Sequence, residues 1–143
     1  MQYGGGAMSD RRALLTTIFN GLAAGDGRAF QAALSEDIVW RVPGSSGWSG
    51  EYRGVADIRE RLLVPLRARL GTIRSIADRI VVDGDHAAVE FHGDNQTVGG
   101  QRYDNRYVFM FRFAGDRIVE INEYMDTALA ERVLGADGPA DGQ

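Results

Sequence analysis

The stretch Tyr103–Thr127 reads YDNRYVFMFRFAGDRIVEINEYMDT and decides the fold. It predicts a long strand over Tyr103–Phe113, a tight Gly-Asp turn, and a second strand over Ile118–Met125. Asp126 or Thr127 can cap a following helix. The long strand is apolar on both faces for most of its length, whereas an antiparallel strand with one solvated face alternates. This pattern predicts a sheet covered by helices on one face and by a partner subunit or a further element on the other.

Upstream of this stretch, apolar residues recur at helical spacing. Ser9 or Asp10 can cap a first helix, and a short second helix would carry Phe30, Ala33 and Leu34. A strand over Ile38–Val42, a Gly/Ser loop over 43–54, a helix from Val55 that Pro65 should kink or break, and strands over Thr72–Val82 and His86–His92 complete the predicted elements. Helices followed by an antiparallel meander indicate an α+β fold. We expect a flexible leader over 1–9, one domain over 10–134 and a disordered tail over 135–143.

The composition removes several kinds of chemistry. The chain has 143 residues and no cysteine, and all 16 basic residues are arginine. Thiol nucleophiles, disulfides, cysteine-ligated metals, lysine Schiff bases and a lysine-containing phosphate loop are therefore excluded. With two histidines, a multi-histidine metal site is excluded as well. The formal charge of −4 argues against nucleic-acid binding, and the sequence contains no membrane-spanning apolar run or visible signal peptide. We expect a cytoplasmic protein.

The order of elements resembles the nuclear transport factor 2-like superfamily. The segment Tyr103–Thr127, with Trp40–Gly44 (WRVPG) and Gly50–Gly54 (GEYRG), is similar to its SnoaL-like and ketosteroid-isomerase-like branch. The resemblance covers about residues 10–134. It implies a cystatin-like cone, in which N-terminal helices pack on a curved, mostly antiparallel sheet around one deep apolar pocket.

The resemblance also implies candidate catalytic positions. The two acidic positions of ketosteroid isomerase would fall at Val42 and Phe109, so that chemistry is not carried over. The catalytic set of limonene epoxide hydrolase would fall at Glu123, Glu90 and His92. The acid/base pair of SnoaL-like cyclases would correspond to Glu123 and His92, which makes the cyclases the nearest conceptual match.

Strand alternation provides an independent test of Glu123. This residue shares one face of its strand with Val119, Ile121 and Met125, and it is the one carboxylate in that row. A carboxyl group buried in such a row has a raised pKa, which suits general acid/base catalysis. The alternative is that Glu123 lies near a rim and pairs with an arginine such as Arg106 or Arg41.

The two other candidate catalytic residues are ambiguous. Alternation places Glu90 and His92 on the face opposite Val89 and Phe91, which would point both toward solvent. The family alignment points both into the pocket. The two readings can hold together if the apolar row packs in a dimer interface. His86 follows a turn and is expected at the surface.

The candidate substrate-binding residues are aromatic, apolar or amide side chains on the expected pocket face or in the Gly/Ser loop. Asn105 and Tyr107 could hold a substrate oxygen, although ordinary sheet packing explains them equally well. Trp48 and Tyr52 could cover the pocket mouth or anchor the loop. Four arginines of the third helix are interpreted as a solvated face, with an anionic ligand site as the alternative: Arg59, Arg61, Arg67 and Arg69. The full set of candidate binding residues is Trp40, Val42, Trp48, Tyr52, Asn105, Tyr107, Phe109, Ile121 and Met125.

The sequence therefore predicts a cofactor-independent enzyme of isomerase, cyclase, dehydratase or epoxide-hydrolase type. Its substrate would be small and apolar or polycyclic, and neither a metal, a nucleic acid nor a membrane is expected as a partner. The doubly apolar strand predicts a homodimer. The alternative is a non-catalytic ligand-binding or dimerisation module with the same fold.

Overall fold

The computed structural model describes residues 3–139 and shows the predicted α+β architecture. Five α-helices and six strands are present among these residues. The helices are α1 (Tyr3–Ala23), α2 (Arg28–Ala33), α3 (Val55–Ile58), α4 (Val64–Leu70) and α5 (Thr127–Leu134), with a π-helical turn over Arg59–Leu63. The strands are β1 (Leu34–Val42), β2 (Gly50–Arg53), β3 (Ser75–Asp83), β4 (His86–Gly93), β5 (Arg106–Ala114) and β6 (Arg117–Met125).

All six strands form one mixed sheet in the order β2-β1-β6-β5-β4-β3. Only β1 and β6 run parallel, and the other neighbours are antiparallel. Two hairpin turns connect β3 to β4 and β5 to β6, and Gly84 and Gly115 occupy them with φ of 61° and 63°. Other residue types rarely adopt this conformation, so the two glycines suit these tight turns.

Helices cover one face of the sheet, which we call the inner face. On this face Phe19 of α1 packs against Phe91 of β4, with ring centroids 5.2 Å apart. The side chains of β5 alternate as expected: Phe109, Phe111 and Phe113 are buried on the inner face, and Arg112 is exposed on the other. The predicted helix-covered face is confirmed.

The helical segment between Val55 and Leu70 changes its hydrogen bonding before Pro65. Pro65 lies in the first turn of α4, directly after the π-helical turn. A proline in the first turn is tolerated because its missing N–H would have no partner within that helix. The predicted disturbance at Pro65 is thus a π-helical turn, which contains Leu62 and Leu63.

The structure corrects several predicted boundaries. Helix α1 begins at Tyr3, so the cap predicted at Ser9 or Asp10 is wrong, and Leu34 begins β1 rather than ending a helix. Strand β2 lies in what was expected to be loop. Where the sequence suggested a disordered tail, Gly135 and Gly138 accept hydrogen bonds from Trp48 and Arg69. Residues 1–2 of the expected leader and 140–143 of the expected tail lie outside the described residues.

Candidate functional site

A cavity of about 390 Å³ lies between the inner face of the sheet and the helices. This volume is within the usual range of small-molecule pockets. The walls are mainly apolar and aromatic. Strands β1, β4, β5 and β6 contribute Trp40, Val42, Phe91, Tyr107, Phe109, Glu123 and Met125, and the helices and loops contribute residues that include Phe30, Trp48, Leu62, Tyr103, Ala130 and Leu134.

Glu123 is the carboxyl group of this cavity. It is buried, and its Cα pairs across the sheet with Phe109. Its Oε1 accepts a hydrogen bond of 3.0 Å from Nε1 of Trp40. Among the described residues, no group donates a hydrogen bond to Oε2. Oε2 is nevertheless not fully enclosed by protein atoms, because these residues contain no fully buried side-chain oxygen that lacks a hydrogen-bond partner. Because Glu123 lines the cavity, Oε2 is open to a ligand there.

The surroundings of Glu123 favour its protonated form. Burial raises the pKa of Glu123 from 4.5 to about 7, and the hydrogen bond from Trp40 limits the rise. Loss of hydration penalises a charged carboxylate, and no arginine of residues 3–139 forms an ion pair with it. Arg41, the predicted alternative partner, instead pairs with Glu51 and Glu120.

Two tyrosines place hydroxyl groups in the same cavity. The hydroxyl of Tyr103 accepts a 2.9 Å hydrogen bond from Nδ2 of Asn105, so its own proton is free to donate. Burial raises the pKa of both Tyr103 and Tyr107, and the two hydroxyls interact with each other. The charge of Glu123 raises the pKa of both tyrosines further. Both hydroxyls therefore stay protonated. Because the hydroxyl of Tyr107 donates to that of Tyr103, the proton of Tyr103 is the one left for a ligand.

Glu90 and His92 are not part of this constellation. Their strand neighbours Val89 and Phe91 point inward, and both candidates lie on the opposite, outer face of the sheet. Nδ1 of His92 lies 2.8 Å from Oδ2 of Asp78, and Glu90 pairs with Arg79. The position inferred from the family alignment is wrong for both residues, and the alternation of β4 gives their direction correctly.

Three of the predicted substrate-binding residues do not line the cavity. Ile121 is fully buried in the core, and Tyr52 packs beneath Arg61, whose guanidinium carbon lies 4.8 Å from the ring centroid. Asn105 is buried, and its amide is used internally, donating to Tyr103 and to the backbone of Asp126. Internal hydrogen bonding rather than ligand contact accounts for this asparagine. The other six predicted binding residues line the cavity: Trp40, Val42, Trp48, Tyr107, Phe109 and Met125.

Trp48 lines the cavity and anchors the Gly/Ser loop, the second of the two roles that the sequence left open. Its Nε1 donates a 2.7 Å hydrogen bond to the carbonyl oxygen of Gly135. Arg69 stacks on the ring, with 5.0 Å between the guanidinium carbon and the ring centroid. These contacts fix the Gly/Ser loop, so Trp48 is an anchored wall of the cavity.

Tyr103 is a buried polar residue of the cavity that sequence reasoning missed. It precedes β5 and is buried. A signal was present, because Tyr103 stands two positions before Asn105 and four before Tyr107, in the same alternating row. Leu62 and Phe30 carry no such signal, because contacts between distant segments bring them to the cavity.

A family model for the SnoaL-like domain matches residues 15–121, which is most of the chain. The chain belongs to the SnoaL-like family. Comparison with curated proteins gives no match. The membership confirms the nuclear transport factor 2-like fold predicted from the sequence.

Solved structures of similar fold cover nearly the whole chain. A nuclear transport factor 2-like protein of unknown function from Burkholderia pseudomallei is 21% identical, with a TM-score of 0.77, over 90% of this chain and all (100%) of that one. A putative isomerase from Bacillus subtilis is 16% identical, with a TM-score of 0.74, over 91% and 96% of the two chains. A putative SnoaL-like polyketide cyclase from Jannaschia sp. is 12% identical, with a TM-score of 0.75, over 91% and 94%. At these identities the likeness establishes the fold alone.

Proposed function

We propose that this protein is a cofactor-independent enzyme that moves a proton on a small apolar substrate, with Glu123 as the general base and acid. A buried carboxyl group with a free oxygen in an apolar cavity carries this proposal. A pKa of about 7 lets Glu123 accept a proton and return it near neutral pH. The site thus suits isomerisation or cyclisation, in which the proton removed from carbon is given back.

The hydroxyl of Tyr103, which accepts from the hydroxyl of Tyr107, would donate to a carbonyl oxygen of the substrate. Removing a proton from the neighbouring carbon places negative charge on that oxygen, and protonated phenols can donate to it. Both groups line the cavity with Glu123. This assignment replaces Asn105 with Tyr103 and gives His92 and Glu90 no catalytic role.

Exchange of substrate hydrogens with solvent tests this proposal without knowledge of the product. Apolar ketones are incubated with the protein in D₂O, and ¹H NMR follows the loss of the signal from the carbon beside the carbonyl group. We expect exchange by the native protein and a loss of more than about a hundredfold in Glu123→Gln, since general bases contribute factors of this size. Glu90→Gln is the matched control, because it removes a carboxylate from the outer face.

The exchange experiment also separates the enzyme from the alternative. A non-catalytic ligand-binding module would bind ketones in the cavity without exchanging their hydrogens. Equal exchange by the native protein and Glu123→Gln would remove Glu123 from the mechanism. Dehydration of hydroxyketones and opening of epoxides are tested by comparing product formation by the native protein and by Glu123→Gln.

A cytoplasmic location stays a prediction from the sequence. No helix within residues 3–139 is long and apolar enough to cross a membrane.

We also propose that the outer face of the sheet pairs two copies of the chain. A row of paired residues crosses four strands on this face: Val81, Ala88, Met110 and Asn122. Val81, Met110 and Tyr124 are 50%, 38% and 49% exposed. Arg112 and Glu120 lie beside this row with opposite charges, which suits a two-fold interface in which each copy meets the same patch.

Light scattering at micromolar concentration tests the pairing. We expect twice the mass of one chain for the native protein and a single-chain mass for Met110→Glu, which places a charge in the centre of the row. Arg59→Gln, at an exposed site on the helical side, should leave the mass unchanged. A single-chain mass for the native protein would refute the interface.

A further inference from the structure

The cavity has an exposed end and a buried end. Gln31, Arg67 and Thr72 are exposed lining residues that contribute polar side chains, whereas Glu123 and the aromatic residues around it are buried. A ligand entering from solvent therefore passes the polar rim first and reaches the carboxyl group last.

Arg67 is the one basic residue of the cavity lining within residues 3–139. It differs from two other arginines of the same helical segment, Arg61 and Arg69. Arg61 is bound by Asp57, and Arg69 donates to the carbonyl oxygens of Leu134, Pro65 and Gly138. Within the same residues, Arg67 forms no side-chain hydrogen bond or ion pair. No group of the described residues therefore occupies the guanidinium donors of Arg67 at the cavity mouth.

An anionic group is unfavourable at the buried end of the cavity and favourable at the exposed end. An anionic group beside Glu123 would be desolvated among aromatic rings and would be repelled by the carboxylate whenever Glu123 is ionised. At the rim, the same group would meet a cation and remain partly hydrated. A substrate with one anionic group would consequently bind with that group outward and its apolar body inward.

We propose that Arg67 binds an anionic group of the substrate, so that the substrates of this site are apolar acids whose reacting carbon lies at the end remote from the charge. The proposal rests on the proposed function, because it assumes that Glu123 reacts with the inner end of the ligand. It assigns Arg67 to substrate binding and orientation, and it replaces the interpretation of Arg67 as part of a solvated face.

A pair of probes of nearly the same shape tests this assignment: 2-naphthoate, which carries a carboxylate, and 2-naphthamide, which is neutral. Binding is followed by ¹⁵N NMR through the indole N–H signals of Trp40 and Trp48. They are the two tryptophans of the chain, and both line the cavity. Trp40→Phe assigns the two signals. At pH 6 the naphthoate is ionised and Glu123 is mostly protonated.

We expect both probes to shift the indole signals of the native protein, with tighter binding of naphthoate. Arg67→Gln should weaken naphthoate binding about fivefold, or about 1 kcal/mol, as is typical of partly exposed ion pairs. Binding of naphthamide should change less than about twofold in the same variant. Arg67→Lys should restore most of the naphthoate affinity, and Arg59→Gln, which removes the same charge outside the cavity, should affect neither probe.

Three results would overturn the assignment. If Arg67→Gln weakens both probes equally, Arg67 shapes the cavity rather than binding the anion. If both probes bind and Arg67→Gln weakens the binding of neither, the anionic group lies away from Arg67, and the proposed function still stands. If neither probe shifts the indole signals of the native protein, the cavity does not take apolar ligands, and the assignment fails together with the proposed function.

Discussion

Replacing Glu123 with glutamine should change how the stability of the protein depends on pH. The carboxyl group has a pKa of 4.5 when unperturbed and about 7 in the folded protein. Below pH 4.5 the group is protonated in both states. As the pH rises, the unfolded chain ionises first, so the free energy of unfolding falls, and the fall ends once the folded protein ionises near pH 7.

The size of this effect follows from the two pKa values. Each unit of difference corresponds to about 1.4 kcal/mol, so the rise from 4.5 to about 7 should cost about 3 kcal/mol of stability between acidic pH and pH 8. Glutamine does not titrate, and its amide oxygen can still accept the hydrogen bond from Trp40. Other carboxyl groups with shifted pKa values, such as Glu120 and Asp57, are present in both chains and cancel in the comparison.

Urea denaturation followed by tryptophan fluorescence at pH 4.5 and pH 8 measures this difference. The stability of Glu123→Gln relative to the native protein should increase by about 3 kcal/mol from the lower to the higher pH. Glu90→Gln, which alters an exposed carboxylate, should show no such increase. A relative stability of Glu123→Gln that stays constant within about 1 kcal/mol would refute the raised pKa.

Three further outcomes are expected. Trp40→Phe removes the hydrogen bond to Glu123, so the pH midpoint for exchange of the ketone hydrogens with solvent should move above 7 by up to about one unit. An unchanged or lower midpoint would contradict this hydrogen bond. Ile121→Val should cost about 1 kcal/mol in urea denaturation and leave naphthamide binding intact, since Ile121 is buried outside the cavity; altered binding would return it to the site. Asp126→Ala should cost about 1 kcal/mol through loss of the cap on Leu129, and an equally stable variant would show that the cap contributes nothing.

Local signals explain why so much of the fold is predictable from the sequence. The apolar and polar residues of β5 and β6 alternate with the period of a strand, and Gly84 and Gly115 mark turns that favour glycine. Asp126 caps α5 as predicted, by accepting a hydrogen bond from the backbone N–H of Leu129. Each of these features depends on residues close together in the chain.

Features that depend on distant contacts were missed. Strand β2 has only four residues in a Gly/Ser-rich segment, and pairing of Tyr52 with Trp40 of β1 defines it. The strand position of Asn105 suits a ligand contact and ordinary sheet packing equally well. Its hydrogen bonds to Tyr103 and Asp126 become visible only when the end of β6 lies beside it.

The candidate site was predictable where alternation and chemistry agreed. Glu123 satisfied both, because it is the carboxyl group in an apolar row that faces the cavity. For His92 the family alignment and the alternation of β4 disagreed, and the structure follows the alternation. The resemblance to the family gives the strand correctly but not the face of the strand on which His92 lies.

The titration of the Glu123 side chain itself tests the central claim most directly. In protein labelled with ¹³C at the glutamate carboxyl carbons, the signal absent from Glu123→Gln is the signal of Glu123. We predict that its chemical shift changes with a midpoint near pH 7, as expected for a buried carboxyl group that can exchange protons with a substrate. A midpoint near 4.5 would show an ordinary ionised carboxylate and would contradict the proposed role of Glu123.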